Sequence, residues 1–102
     1  LFRSQVLFGL GFGKAPRSPQ KLALDRHTDR CDVTVRWEPV KGAQGYNVLW
    51  GIAPDKLYSS WMVYGGNELE MKSLTIDQDY YFAVEAFNEN GVSLPSETKY
   101  VE

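Results

Sequence analysis

Leu74-Thr75-Ile76-Asp77-Gln78-Asp79-Tyr80-Tyr81-Phe82-Ala83-Val84-Glu85-Ala86-Phe87-Asn88-Glu89-Asn90-Gly91 is the stretch whose reading decides the fold. From Tyr80 the residues alternate: Tyr80, Phe82, Val84 and Ala86 fall on one side, Tyr81, Ala83, Glu85 and Phe87 on the other. A period of two, carried by aromatic and β-branched residues, predicts a strand with one well-buried face. Asn88 to Gly91 is turn chemistry, because Asn and Gly adopt a positive φ at little cost. Leu74 stands six residues before Tyr80.

The same alternation recurs upstream. Val33, Val35 and Trp37 alternate with Thr34 and Arg36, and Glu38-Pro39 ends that strand because proline has no ladder N–H. After the glycine-flanked loop Lys41 to Gly45, a strand follows in which Tyr46, Val48 and Trp50 alternate. Gly51 to Asp55 is a turn containing Pro54, and Tyr58 to Tyr64 forms a strand whose inward face the pattern leaves open. Gly65-Gly66-Asn67 turns the chain; Leu69 and Met71 then face in, with Glu68 and Glu70 outward. Lys21 to Leu24 carries a weak edge-strand signal after Pro19, and Asp25 to Asp32 reads as a polar loop. Downstream, a seventh strand from about Val92 to Val101 is expected to bend at Pro95.

No segment sustains a helical period. Seven short strands punctuated by turns predict an all-β, immunoglobulin-like sandwich of antiparallel strands with alternating residues buried between two sheets. The expected core is Trp37, Tyr46, Val48, Leu74, Tyr80, Phe82 and Val84.

A chain of 102 residues suits one domain with a single core. Residues 20–102 hold the sandwich, residues 14–19 read as a linker, and residues 1–13 are too apolar for a free tail. That apolar stretch is expected to be a strand belonging to a preceding domain of the same chain. Gly9, Gly11 and Gly13 are followed by neither Gly-Lys-Ser/Thr nor a helical pattern, so a phosphate loop is not expected. A start at Leu1, without Met or a charged-then-apolar leader, suggests an excerpt whose export signal would lie upstream.

The net charge is −2, with 11 basic residues spread among 13 acidic ones, which gives no field to gather nucleic acid. No apolar run reaches the roughly 18 residues that a membrane span requires. Cys31 is the sole cysteine, which excludes an internal disulfide and a cysteine zinc site. Neither a cofactor nor a metal is expected.

Taken together these motifs resemble the fibronectin type III module, over Pro16 to Glu102. Trp37-Glu38-Pro39 matches the family's core tryptophan and nearby proline, and Tyr46-Asn47-Val48-Leu49-Trp50 its Tyr-x-Val-x-aromatic strand. Leu74, Tyr80, Phe82, Val84, Ala86, Asn88 and Gly91-Val92-Ser93 match the family's corner and the strand after it. The resemblance implies that Tyr80 is a tyrosine-corner residue whose hydroxyl bonds backbone a few residues upstream. Asp77-Gln78 departs from the Pro-Gly found in many members, so a looser turn is expected there.

A narrower resemblance joins Gly11 to Pro16, Trp50 to Tyr58 and Phe87 to Gly91 with the C-terminal module of bacterial family 43 glycoside hydrolases. Those enzymes resemble xylosidases and arabinofuranosidases. The resemblance implies a secreted, periplasmic or cell-surface parent that degrades plant polysaccharide, with this chain as its accessory module.

Candidate catalytic groups are few. His27 is the sole histidine and lies in the polar segment with Cys31, where a solvated ring and a packed thiol are expected. Glu68 and Glu70 share a strand face at about 6.5–7 Å, within the carboxylate spacing of glycosidases. On an open outer face nothing would raise the pKa of one of them, so solubilising acids are expected. Tyr58, Trp61, Tyr64 and Tyr81 could offer rings to sugars, though cross-strand packing is the expected role. The Arg-Gly-Asp turn of integrin-binding members is absent; Asn88-Glu89-Asn90-Gly91 stands in its place. Trp37→Ala is expected to destabilise the domain by about 3–5 kcal/mol, read as a large drop in the chemical-denaturation midpoint.

Overall fold

The computed structural model describes residues 14–27, 31–72, 74–75 and 78–101. The apolar tail at residues 1–13 lies outside them, as does Asp77 of the corner turn. The strands are β1 (Ala23–Arg26), β2 (Val33–Arg36), β3 (Gly45–Gly51), β4 (Ser59–Tyr64), β5 (Glu68–Met71), β6 (Tyr80–Asn88), β7 (Gly91–Val92) and β8 (Lys99–Val101). They form two antiparallel sheets, one ordered β1-β2-β5 and the other β4-β3-β6-β7, with β8 also paired to β6.

Val33 and Val35 from one sheet and Val48, Phe82 and Val84 from the other are withdrawn from water completely. Burial of such side chains contributes about 1.5–3 kcal/mol each. Trp37 packs edge-on against Tyr46, ring centroids 5.1 Å apart. The Tyr46 hydroxyl accepts a 2.8 Å bond from the Val40 N–H, tying the β2–β3 loop to the core.

Three local features differ from the alternation pattern. Lys21 adopts φ 57°, a left-handed conformation that interrupts an extended ladder, so β1 begins at Ala23 and includes Asp25 and Arg26. On β6 burial is two-sided, because the strand runs between β3 and β7/β8 and its second face carries small Ala83 and hydrogen-bonded Glu85. The Asn47 side-chain amide donates to Glu85 at 3.1 Å.

The last strand breaks around Pro95 into β7 and β8. Ser93 and Ser96 bridge the gap by accepting from the Ala86 and Val84 N–H groups, each at 2.9 Å, so β6 keeps its donors satisfied.

Gly51 ends β3 where the following turn passes very close. A Cβ there would overlap the carbonyl oxygen of Lys56, which is backbone and has little room to move. Gly51→Ala is therefore expected to cost about 1–3 kcal/mol, measured by chemical denaturation.

Candidate functional site

His27 sits just after β1, half-buried, with Nε2 2.8 Å from the Thr34 hydroxyl on β2. Glu70 approaches that same Nε2 at 3.8 Å. A hydroxyl, an imidazole and a carboxylate thus meet, but a triad needs the acid on the other ring nitrogen to orient the base. Here hydroxyl and acid share one nitrogen, and Thr34 is buried in mid-strand, so no nucleophile is activated.

Glu68 is also engaged. Its carboxylate accepts a 2.7 Å bond from Arg36, its direct cross-strand partner. That bond, with the attraction between the two charges, holds the exposed Arg36 guanidinium above its ordinary pKa. Glu68 and Glu70 thus face separate partners on the outer side of the small sheet. Among the described residues no group of three His, Cys, Asp or Glu side chains could hold a metal ion.

The aromatic candidates divide between surfaces. Trp61 and Tyr64 are three apart on β4 and so project from opposite faces. Tyr64 packs edge-on against Phe87, centroids 5.6 Å apart, and Tyr81 tilts against its cross-strand partner Tyr100 at 5.3 Å. Tyr58 lies before the strand, well exposed. Trp61 is 58% exposed at the lip of a cleft of about 410 Å³ between the β4 and β5 sides of the sandwich. Trp50, Leu69, Met71, Leu74 and Tyr80 give that cleft an apolar lining, with Glu70 and Lys72 at its rim. Trp61 and Tyr64 therefore share no face on which one sugar could stack across both rings.

The seven expected core residues all lie in the buried interior. Tyr80 holds the corner: its hydroxyl accepts a 3.0 Å bond from the Thr75 N–H, five residues upstream. Arg26 locks the same turn, donating to the Gln78 and Thr75 carbonyls at 2.9 and 2.8 Å. Its guanidinium also lies over the Tyr80 ring, 5.2 Å from the centroid. Arg26 has no local sequence signal for this role, since its partners lie about fifty residues away.

The stretch at residues 14–19 is held against the end of the sandwich. Pro16 and Pro19 are buried, and the Lys14 carbonyl accepts from the Asn88 and Asn90 side-chain amides at 3.1 and 3.4 Å. Asn88 also donates to the Gly42 carbonyl at 3.2 Å, and the Ser18 hydroxyl to the Leu94 carbonyl at 2.8 Å.

Tyr80→Phe should remove one hydrogen bond and cost about 0.5–1.5 kcal/mol. Combined with Arg26→Ala, its effect should be non-additive by at least about 0.5 kcal/mol, as measured in a double-mutant denaturation cycle. Strict additivity would show that the two groups hold the corner separately.

No family model and no curated protein matches the chain. Solved structures do. The FN1-FN3 domains of chicken CNTN1 share 25% identity and a TM-score of 0.71, covering 85% of this chain and 32% of that one. An Fn3-like protein from Clostridium thermocellum gives a TM-score of 0.78 at 19% identity, covering 87% of this chain and 94% of its own. The twitchin kinase region from C. elegans, described as Fn31-NL-kin-CRD-Ig26, matches at 21% identity and TM-score 0.72 over 84% of this chain and 16% of that chain. The chain thus spans about a third of the CNTN1 structure and a smaller share of the twitchin one. Its two antiparallel sheets, tyrosine corner and structural neighbours together establish the fibronectin type III fold.

Proposed function

We propose that this chain is a non-catalytic structural and docking module of a larger, exported glycoside hydrolase that degrades plant polysaccharide. Its role there is to pack on the neighbouring domain and fix that domain's position. The observation that carries this reading is the fastening of residues 14–19. A free six-residue flexible linker would let its ends wander by about 13 Å. Here the two prolines are buried and the Lys14 carbonyl is gripped by Asn88 and Asn90. Lys14 is therefore held at a fixed place on the sandwich, as a docking joint would require.

The polar groups that would serve catalysis are committed elsewhere, Glu68 to Arg36 and His27 to Thr34. The assignment of a glycoside hydrolase parent rests on the sequence resemblance at residues 11–16, 50–58 and 87–91. A carbohydrate-binding accessory module is the second reading, favoured by the exposed Trp61 ring beside its cleft. A protein-recognition module of an adhesin or receptor is the third.

The chain by itself should hydrolyse neither xylan nor arabinan fragments. Calorimetric titration should give no dissociation constant tighter than about 10 µM; a tighter one lost on Trp61→Ala would favour the glycan-binding reading. In the longer protein, deleting the module should lower the neighbour's unfolding temperature by a few degrees, since 1 kcal/mol moves a midpoint by about 2–8 °C. Asn88→Ala should reproduce part of that loss. An unchanged midpoint on deletion would sink the docking role.

A further inference from the structure

We propose that the apolar cleft beside Trp61 is the seat of the chain's own first residues, with the segment from Leu1 to Phe8 laid along the outer side of β4 and its apolar face turned into the cleft. The segment thereby serves this sandwich, in place of a strand in a preceding domain. Trp50 and Trp61 reach the cleft from the large sheet, and Leu69 and Met71 from the small one. It is thus a gap of about 410 Å³ between the two inner faces, on the side of the sandwich bounded by β4 and β5.

The tether at Lys14 selects the occupant. Asn88 donates to the Lys14 and Gly42 carbonyls, so the chain meets the sandwich at the end where β6 finishes. Tyr64 lies at that same end, paired with Gly45, which is itself paired with Phe87. From Phe87 to the outer side of β4 is three strand spacings, about 14 Å, and Trp61 stands three residues, about 10 Å, back along β4. The eight residues from Lys14 back to Val6 span about 26 Å when extended, so Val6 comes abreast of Trp61. β4 and the segment both run toward the Lys14 end, which makes the added strand parallel to β4.

Composition agrees with reach. On a strand Phe2, Val6 and Phe8 share one face, and Gln5 and Leu7 the other. Phe2 lies four residues beyond Val6, toward the end of the cleft where Trp50 pairs with Ser59. Arg3 is the one charge among residues 1–13, and β4 has neither the charge nor the proline that repels an added strand. A tethered segment meets its seat at an effective concentration on the order of mM, so it occupies the cleft ahead of a dilute partner of equal affinity. The inference holds whether or not the parent is a glycoside hydrolase.

The test uses the full chain with Cys31→Ser and Gln5→Cys, spin-labelled at position 5 on the face turned away from the cleft. Paramagnetic broadening of backbone amides should be strongest in β4 and weakest in β1 and β8, which lie on the opposite side of the sandwich. In the full chain with native Cys31, Val6→Asp with Phe8→Asp should speed hydrogen exchange of β4 relative to β3 by at least about tenfold. Comparing the two strands within one sample separates that loss from any change in global stability. Broadening that is absent from β4 or centred elsewhere overturns the proposal, as does β4 exchange indifferent to the paired substitution. Broadening of β4 in an unlabelled, isotope-enriched copy mixed with the labelled chain also overturns it, because the contact would then lie between copies.

Discussion

Burial of the inner face of β6 is the constraint on which the rest of the structure depends. Phe82 and Val84 are wholly removed from water, which is possible only with a strand on either side and a second sheet across the core. β3 pairs along one side of β6, and β7 and β8 cover the other. Since every buried N–H needs an acceptor, the break around Pro95 is tolerated only because Ser93 and Ser96 accept in its place. The proline therefore costs the last strand its continuity without leaving the central strand short of partners.

Side-chain hydrogen bonds to backbone organise the two corners of the core. Tyr46 secures the loop after β2 through Val40, and Tyr80 secures the turn before β6 through Thr75. Each ring adds apolar bulk to the core while its hydroxyl reaches the surface backbone, a pairing of functions that phenylalanine cannot supply. Arg26 adds a second tie from the opposite sheet, so β1 and the turn before β6 are held together as well.

The same economy of polar groups accounts for the lack of an assembled active site among the described residues. Catalysis requires acids, bases or nucleophiles with perturbed affinities for protons, converging in a sheltered place. Glu68 is neutralised by Arg36 in the open, and His27 spends one ring nitrogen on both of its neighbours. What remains distinctive is at the boundaries: a gripped chain entry around Lys14, and an uncharged edge at β4 beside an apolar cleft.

The amino-acid sequence by itself determined the strands of the core and the residues that fill it. Alternation is a local property, and Trp37, Tyr46, Val48, Phe82 and Val84 declare their inward faces within a few residues of chain. The resemblance to fibronectin type III modules likewise marked Tyr80 as the corner residue. Other features depend on groups far apart in the chain, and only the tertiary structure decided them. Arg26 stands in a polar run that looks like a loop, yet carbonyls about fifty residues away make it a clamp. Lys21 turns left-handed as the chain passes from buried Pro19 to buried Leu22, which moves the start of β1 to Ala23. Tyr58, Trp61 and Tyr64 stand within seven residues of one another, but the pleat sends Trp61 and Tyr64 to opposite faces. Which of those faces meets the core depends on the register of β4 against β3, and that register is a property of the assembled sheet.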